Sequence, residues 1–97
     1  MIRHIVLFTA RDPADLPLIQ TSLARLAEIP EALRLEVAPN SRRDSLSAEI
    51  DLVVYGEFAD FAALERFKAH PIYAESVSIV RPRREIRIAV DFEALAN

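Results

Sequence analysis

Residues 2–9 (Ile2-Arg3-His4-Ile5-Val6-Leu7-Phe8-Thr9) are rich in β-branched and aromatic side chains, and Ile50 to Phe58 is a second near-continuous apolar run. Both read as strands. Both also carry apolar residues on either parity: Ile5 and Leu7 as well as Val6 and Phe8, Val53 and Tyr55 as well as Leu52 and Val54. Successive side chains of a strand point to opposite faces, so strands of this kind need cover on two sides. No other feature of the chain narrows its fold as far.

The remaining segments supply the cover. Asp12-Pro13 and then Asp15 mark a helix start, and Leu16, Ile19, Leu23 and Leu26 follow as one apolar stripe. Pro17 fits only the first turn, which favours Asp15 as the cap. The helix ends before Pro30. Leu33 to Val37 alternates strictly, residues 39–48 are polar, and the lone Gly56 within the next strand signals a bulge or a close backbone approach. Asp60 caps a helix carrying Phe61, Leu64 and Phe67; His70-Pro71 breaks it, and Pro71 opens a further helical stretch to about Ile79. Glu85 to Phe92 alternates again, with Ile86, Ile88, Val90 and Phe92 on one parity.

The order is β-α-β-β-α-β, the ferredoxin-like α+β pattern of a four-stranded antiparallel sheet, with the first and third strands central and the second and fourth at the edges. Two helices cover one face of such a sheet. Ile5, Leu7, Val53 and Tyr55 would then face water in a lone chain, forfeiting several kcal/mol at about 25 cal/mol per Å². That is comparable with the whole stability of a small domain, roughly 5–15 kcal/mol. Pairing two sheets face to face removes the penalty, so a homodimer closing a barrel between subunits is expected.

At 97 residues, 52% hydrophobic and 28% charged, the chain suits one folded domain spanning 1–97. It has no cysteine, no apolar run of membrane-spanning length and no signal-peptide pattern, so a cytoplasmic location away from membranes is the expectation. A net charge of −3 argues against nucleic acid as a partner. Arg81, Arg83, Arg84 and Arg87 are a local exception, and with Glu85 and Asp91 nearby they read as a solvated charge mosaic.

Few residues point to chemistry. With two histidines and no cysteine, a His-rich or thiolate metal site is not expected. A single glycine builds neither a phosphate-cradling loop nor a nucleophile elbow. His4, flanked on its own parity by Ile2 and Val6, is either a tuned acid or base or a buried structural ring. His70, before proline at a helix break, reads as structural. Tyr55 and Tyr73 offer hydroxyls, Ser22 interrupts an apolar stripe, and Phe61 and Phe67 suit a core.

The opening Ile2-Arg3-His4-Ile5-Val6-Leu7-Phe8, Ile29-Pro30, the strand ending at Phe58 before an Asp-capped helix, His70-Pro71-x-Tyr73 and Asp91-Phe92-Glu93 together resemble the stress-responsive A/B barrel (Dabb) family. The resemblance spans the chain and implies a ferredoxin-like protomer pairing as a dimeric α/β barrel. A plant polyketide cyclase of that family performs intramolecular aldol chemistry without an organic cofactor, and some members bind a divalent cation. No carboxylate arrangement here demands a metal. Carried over by position, the cyclase's first-strand histidine matches His4, its tyrosine falls on Phe67, and its second histidine falls on Tyr73, so its histidine–tyrosine pair is not reproduced.

The pocket this implies lies between sheet and helices, lined by His4, Ile19, Ser22, Leu23, Val54, Phe67, Tyr73 and Ile79. The functional expectation is a homodimer binding a small apolar or aromatic molecule, without a cofactor and either non-catalytic or of unknown activity. The alternative is a cofactor-independent enzyme, a polyketide cyclase or quinone-type monooxygenase. His4 would then relay a proton and Tyr73 would donate a hydrogen bond.

Overall fold

The computed structural model describes residues 1–95. Strand β1 (Ile2–Ala10) leads through a short 3-10 turn into helix α1 (Leu16–Ala24), and a second 3-10 turn (Arg25–Glu28) ends before Pro30. Strands β2 (Arg34–Pro39) and β3 (Leu52–Phe58) follow, then helices α2 (Phe61–Lys68) and α3 (Pro71–Val80) and strand β4 (Arg84–Glu93). The sheet is antiparallel with order β2-β3-β1-β4, which puts the two doubly apolar strands in the middle.

Local chemistry accounts for the helix starts. The Asp60 carboxylate accepts a hydrogen bond from the Ala63 N–H (2.8 Å), a capping contact worth about 1 kcal/mol. His70 is the cap of α3: its Nδ1 accepts from the Ile72 N–H (3.1 Å), and Pro71 occupies the first turn, where its missing donor costs nothing. At α1 the expected cap is corrected. Asp15 makes no capping bond, whereas Asp12 accepts from the Ala14 N–H (3.0 Å) and starts the preceding 3-10 turn. Pro13 begins that turn and Pro17 lies in the first turn of α1, so each element opens with its own proline.

One further boundary changes, and of the two readings left open for Gly56 the close approach holds. Strand β3 begins at Leu52 because the Ile50 carbonyl is taken by the Asn40 side-chain amide (2.9 Å) rather than by a neighbouring strand. Gly56 is not a bulge, since the register runs through it unbroken on both sides. A Cβ there would sit 2.9 Å from Cε2 of Phe58 and 3.4 Å from Cδ1 of Leu35. The glycine is a close approach that lets the Phe58 ring lie across the strand.

The core fills the helix-covered face: Ile2, Val6 and Phe8 of β1, Val54 and Phe58 of β3, and Ile19, Leu23, Leu64 and Phe67 from the helices. On the opposite face Ile5, Leu7, Val53 and Tyr55 are half-buried. Registers Ile5↔Val90 and Leu7↔Ile88 put the apolar parity of β4 on that same uncovered face. Ile86, Ile88, Val90 and Phe92 remain 40–52% exposed there. The uncovered face is therefore wider than the central strands alone indicate.

Candidate functional site

β1 aims its even-numbered residues at the helices, which buries His4 (2% exposed) between Ile2 and Val6. His4 stands directly opposite Asp91 of β4, and its Nδ1 is hydrogen-bonded to Oδ1 of that residue. The carboxylate fixes the ring's orientation, as an acid partner does in base-and-orienter pairs. On the other side His4 faces Gly56, and the space left by the missing side chain is filled by Phe58, whose ring meets the imidazole edge-on at 6.0 Å.

From there an aromatic series crosses the core. Phe58 meets Phe67 at 4.8 Å, and Phe67 meets Tyr73 at 5.5 Å, each pair in edge-to-face geometry. His4 and Tyr73 thus stand at opposite ends of the series with two phenylalanines between them.

A narrow, partly open cleft with about 40 Å³ of free space lies at the Tyr73 end. Val6, Phe8 and Val54 form its floor, and Leu23 and Leu26 one wall. Tyr73, Ser76, Val77 and Val80 of α3 form the other wall. Ser76 is buried and accepts a 3.4 Å hydrogen bond from Ser22 of α1, which joins the two helices behind the wall. At the mouth stand Arg81, Arg84 and Arg87.

Of the residues expected to line a pocket, Leu23, Val54 and Tyr73 come together at this cleft. His4, Ile19, Ser22, Phe67 and Ile79 do not line it. Ile19 and Phe67 are sealed in the core, Ser22 acts through Ser76, and Ile79 is half-buried with its carbonyl accepting from Arg83 (2.7 Å). The wall of α3 was legible as the i, i+3, i+4, i+7 spacing of Tyr73, Ser76, Val77 and Val80.

Arg81 and Arg87 are exposed and Arg84 is half-buried; among the described residues none of the three makes an ion pair with a carboxylate. Burial first, then the charges of Arg87 and Arg81, hold the Arg84 guanidinium below the ordinary arginine value. No three His, Cys, Asp or Glu residues gather as a metal site among the described residues. Likewise, no helix there is long and apolar enough to cross a membrane.

A four-stranded antiparallel sheet in the order β2-β3-β1-β4, with helices on one face and the other bare, defines a ferredoxin-like protomer. The chain belongs to the stress responsive A/B barrel domain family, whose model matches residues 2–94. Among solved structures it is similar to a dimeric ferredoxin-like protein of unknown function from Thermobifida fusca, at 26% identity and TM-score 0.81, over 96% of this chain and 90% of that one. It is also similar to a dimeric protein of unknown function and ferredoxin-like fold from Bacteroides fragilis (24%, 0.79, 96% and 95%). A third is a Dabb family protein with a ferredoxin-like fold from Mesorhizobium loti (24%, 0.76, 98% and 97%). Nothing among curated proteins matches the chain.

Proposed function

We propose that this protein is a homodimer that binds a small, largely apolar or aromatic molecule in the cleft between α3 and the sheet, and acts as a cytoplasmic binding module. The observation that carries the reading is the cleft itself. It has an apolar floor of Val6, Phe8 and Val54, with hydroxyls of Tyr73 and Ser76 on one wall, the make-up of small-molecule sites in general. The bare sheet face and the dimeric relatives support the assembly.

Native mass spectrometry of the purified protein tests both parts. The expected result is a two-chain species carrying a small organic molecule, with the molecule lost and the dimer retained in Leu23→Trp, which fills the cleft. A molecule retained by Leu23→Trp would place the site elsewhere, and a one-chain species would refute the assembly.

The buried His4–Asp91 pair favours a second reading as a cofactor-independent enzyme, in which His4 relays a proton and Tyr73 hydrogen-bonds a developing oxyanion. It requires a substrate that reaches the ring, which lies outside the cleft lining. Turnover of a linear polyketide or a quinol that is lost in His4→Ala while binding persists would establish it. Binding without turnover in the wild type would leave the binding module.

A further inference from the structure

Arg84 and Arg87 are three residues apart on one strand, a spacing that sends side chains to opposite faces in regular β structure. Here both reach the cleft. The register explains how: Phe8 pairs with Arg87 but Ala10 pairs with Arg84, so Glu85 and Ile86 together oppose the single residue Thr9. That extra residue is a bulge, a device that re-aims the side chains beside it. It is pinned by Thr9, a buried residue whose Oγ1 accepts the Ile86 N–H at 2.9 Å.

The helix end does not account for the cluster. Arg81 sits at the C-terminal cap of α3, and Arg83 donates to the Ile79 carbonyl there (2.7 Å), so these two complement the helix dipole. Arg84 and Arg87 are strand residues, turned by the bulge toward Arg81 and toward each other. Their mutual repulsion has no carboxylate to relieve it among the described residues. The Arg87 guanidinium makes one long contact, donating to the Tyr73 hydroxyl at 3.5 Å, which leaves the phenolic proton for another acceptor.

We infer that the cleft takes an amphipathic molecule with an oxyanion head group, carboxylate or phosphate, held at the mouth by Arg81, Arg84 and Arg87 while its apolar body lies on the floor of Val6, Phe8 and Val54. The inference rests on the cleft being a ligand site and specifies what it selects. Guanidinium forks match both oxyanions, and such charge-assisted bonds are roughly twice as strong as neutral ones. Thr9 is a positioning residue for this head-group site.

The test compares 2-naphthoate, 2-naphthyl phosphate and neutral 2-naphthalenemethanol by calorimetry, with methyl shifts of Val54 and Val80 locating each ligand. One or both anions are expected to bind on the order of tenfold or more tightly than the alcohol. Arg84→Gln and Arg87→Gln should each remove most of that preference, with the alcohol still shifting the Val54 and Val80 methyls. Thr9→Val should shrink the preference with the alcohol still bound, and Thr9→Ser should restore it. All three ligands binding alike at Val54 and Val80 would overturn the head-group inference and leave the cleft standing. No shift at either methyl with any probe would overturn both.

Discussion

Replacing Val90 by lysine tests the pairing of the bare sheet faces. Ile86, Ile88, Val90 and Phe92 keep 40%, 48%, 52% and 43% of their surface in water. Full burial of such a side chain is worth about 1.5–3 kcal/mol, so covering the remainder yields about 1 kcal/mol each, or about 8 kcal/mol over two copies. The half-buried Ile5, Leu7, Val53 and Tyr55 add about 4 kcal/mol more across the pair. An association cost at the low end of its range, about 4 kcal/mol, leaves roughly 8 kcal/mol, a micromolar Kd. In a two-fold interface each substitution acts twice. Val90→Lys removes about 1 kcal/mol from each copy and brings two ammonium groups into an apolar patch, so Kd should rise by about 100-fold or more. Sedimentation velocity at about 30 μM chain, well above the wild-type Kd and below that of the variant, should show mostly two-chain mass for the wild type and for Leu18→Lys, a control on α1, and mostly one-chain mass for Val90→Lys. A wild-type chain that sediments alone, or a Val90→Lys dimer of unchanged strength, would refute the reasoning.

Three smaller perturbations address the interior and the polar groups. Gly56→Ala pushes a methyl to within 2.9 Å of the fully buried Phe58 ring, so urea denaturation should register a loss of about 1–3 kcal/mol; no loss would mean that the ring has room to move. Asp91→Ala strips the buried His4 of its Nδ1 partner and should cost about 1–3 kcal/mol by the same assay, together with loss of the single ring tautomer in nitrogen NMR. The Tyr55 phenol donates to Glu57 at 2.6 Å, and that bond, then burial, holds its ionisation above the usual phenol value of about 10. The raised value favours the neutral phenol of the folded chain, so this contribution is complete below pH 10 and fades as the pH rises through the folded-state value. Ultraviolet titration of a Tyr73→Phe background should show late ionisation that moves earlier in Glu57→Gln.

Strand parity made the scaffold readable: two runs apolar on both parities had to be central, and two alternating runs had to be edges. The uncovered residues Ile5, Leu7, Val53 and Tyr55 followed from the same count. What parity did not reveal was which way β4 would turn its apolar side, because alternation alone has no sign; the pairing Ile5↔Val90 sets it. The site was less legible for a related reason. Tyr73, Leu23 and Val54 were within reach of helix and strand periodicity, but Arg84 and Arg87 share a face only through an extra residue opposite Thr9. No period of two announces a bulge. The near neighbours Glu85 and Asp91 suggested a solvated mix of charges, in which nothing along the chain shows that Asp91 is engaged by His4.

One strand therefore serves both faces of the sheet. β4 turns Ile86, Ile88, Val90 and Phe92 outward to the uncovered face, and Arg87 and Asp91 inward to the cleft and to His4. Apart from Arg84 it is exposed along its whole length, so its backbone is ordered by β1 on one edge and by whatever covers its apolar side. A partner sheet that holds β4 still would keep Arg84 and Arg87 aimed at the mouth. Coupling of this kind is reciprocal: a ligand that favours the ordered strand must also favour the dimer. The Val90→Lys chain should accordingly bind 2-naphthoate more weakly than the wild type, by a factor whose square is the factor with which saturating naphthoate tightens wild-type dimerisation, because each dimer carries two clefts. Calorimetry on the first and sedimentation on the second supply the two numbers independently. Equal naphthoate affinity in one-chain and two-chain species would show that the faces act separately, with the bulge alone setting the arginines.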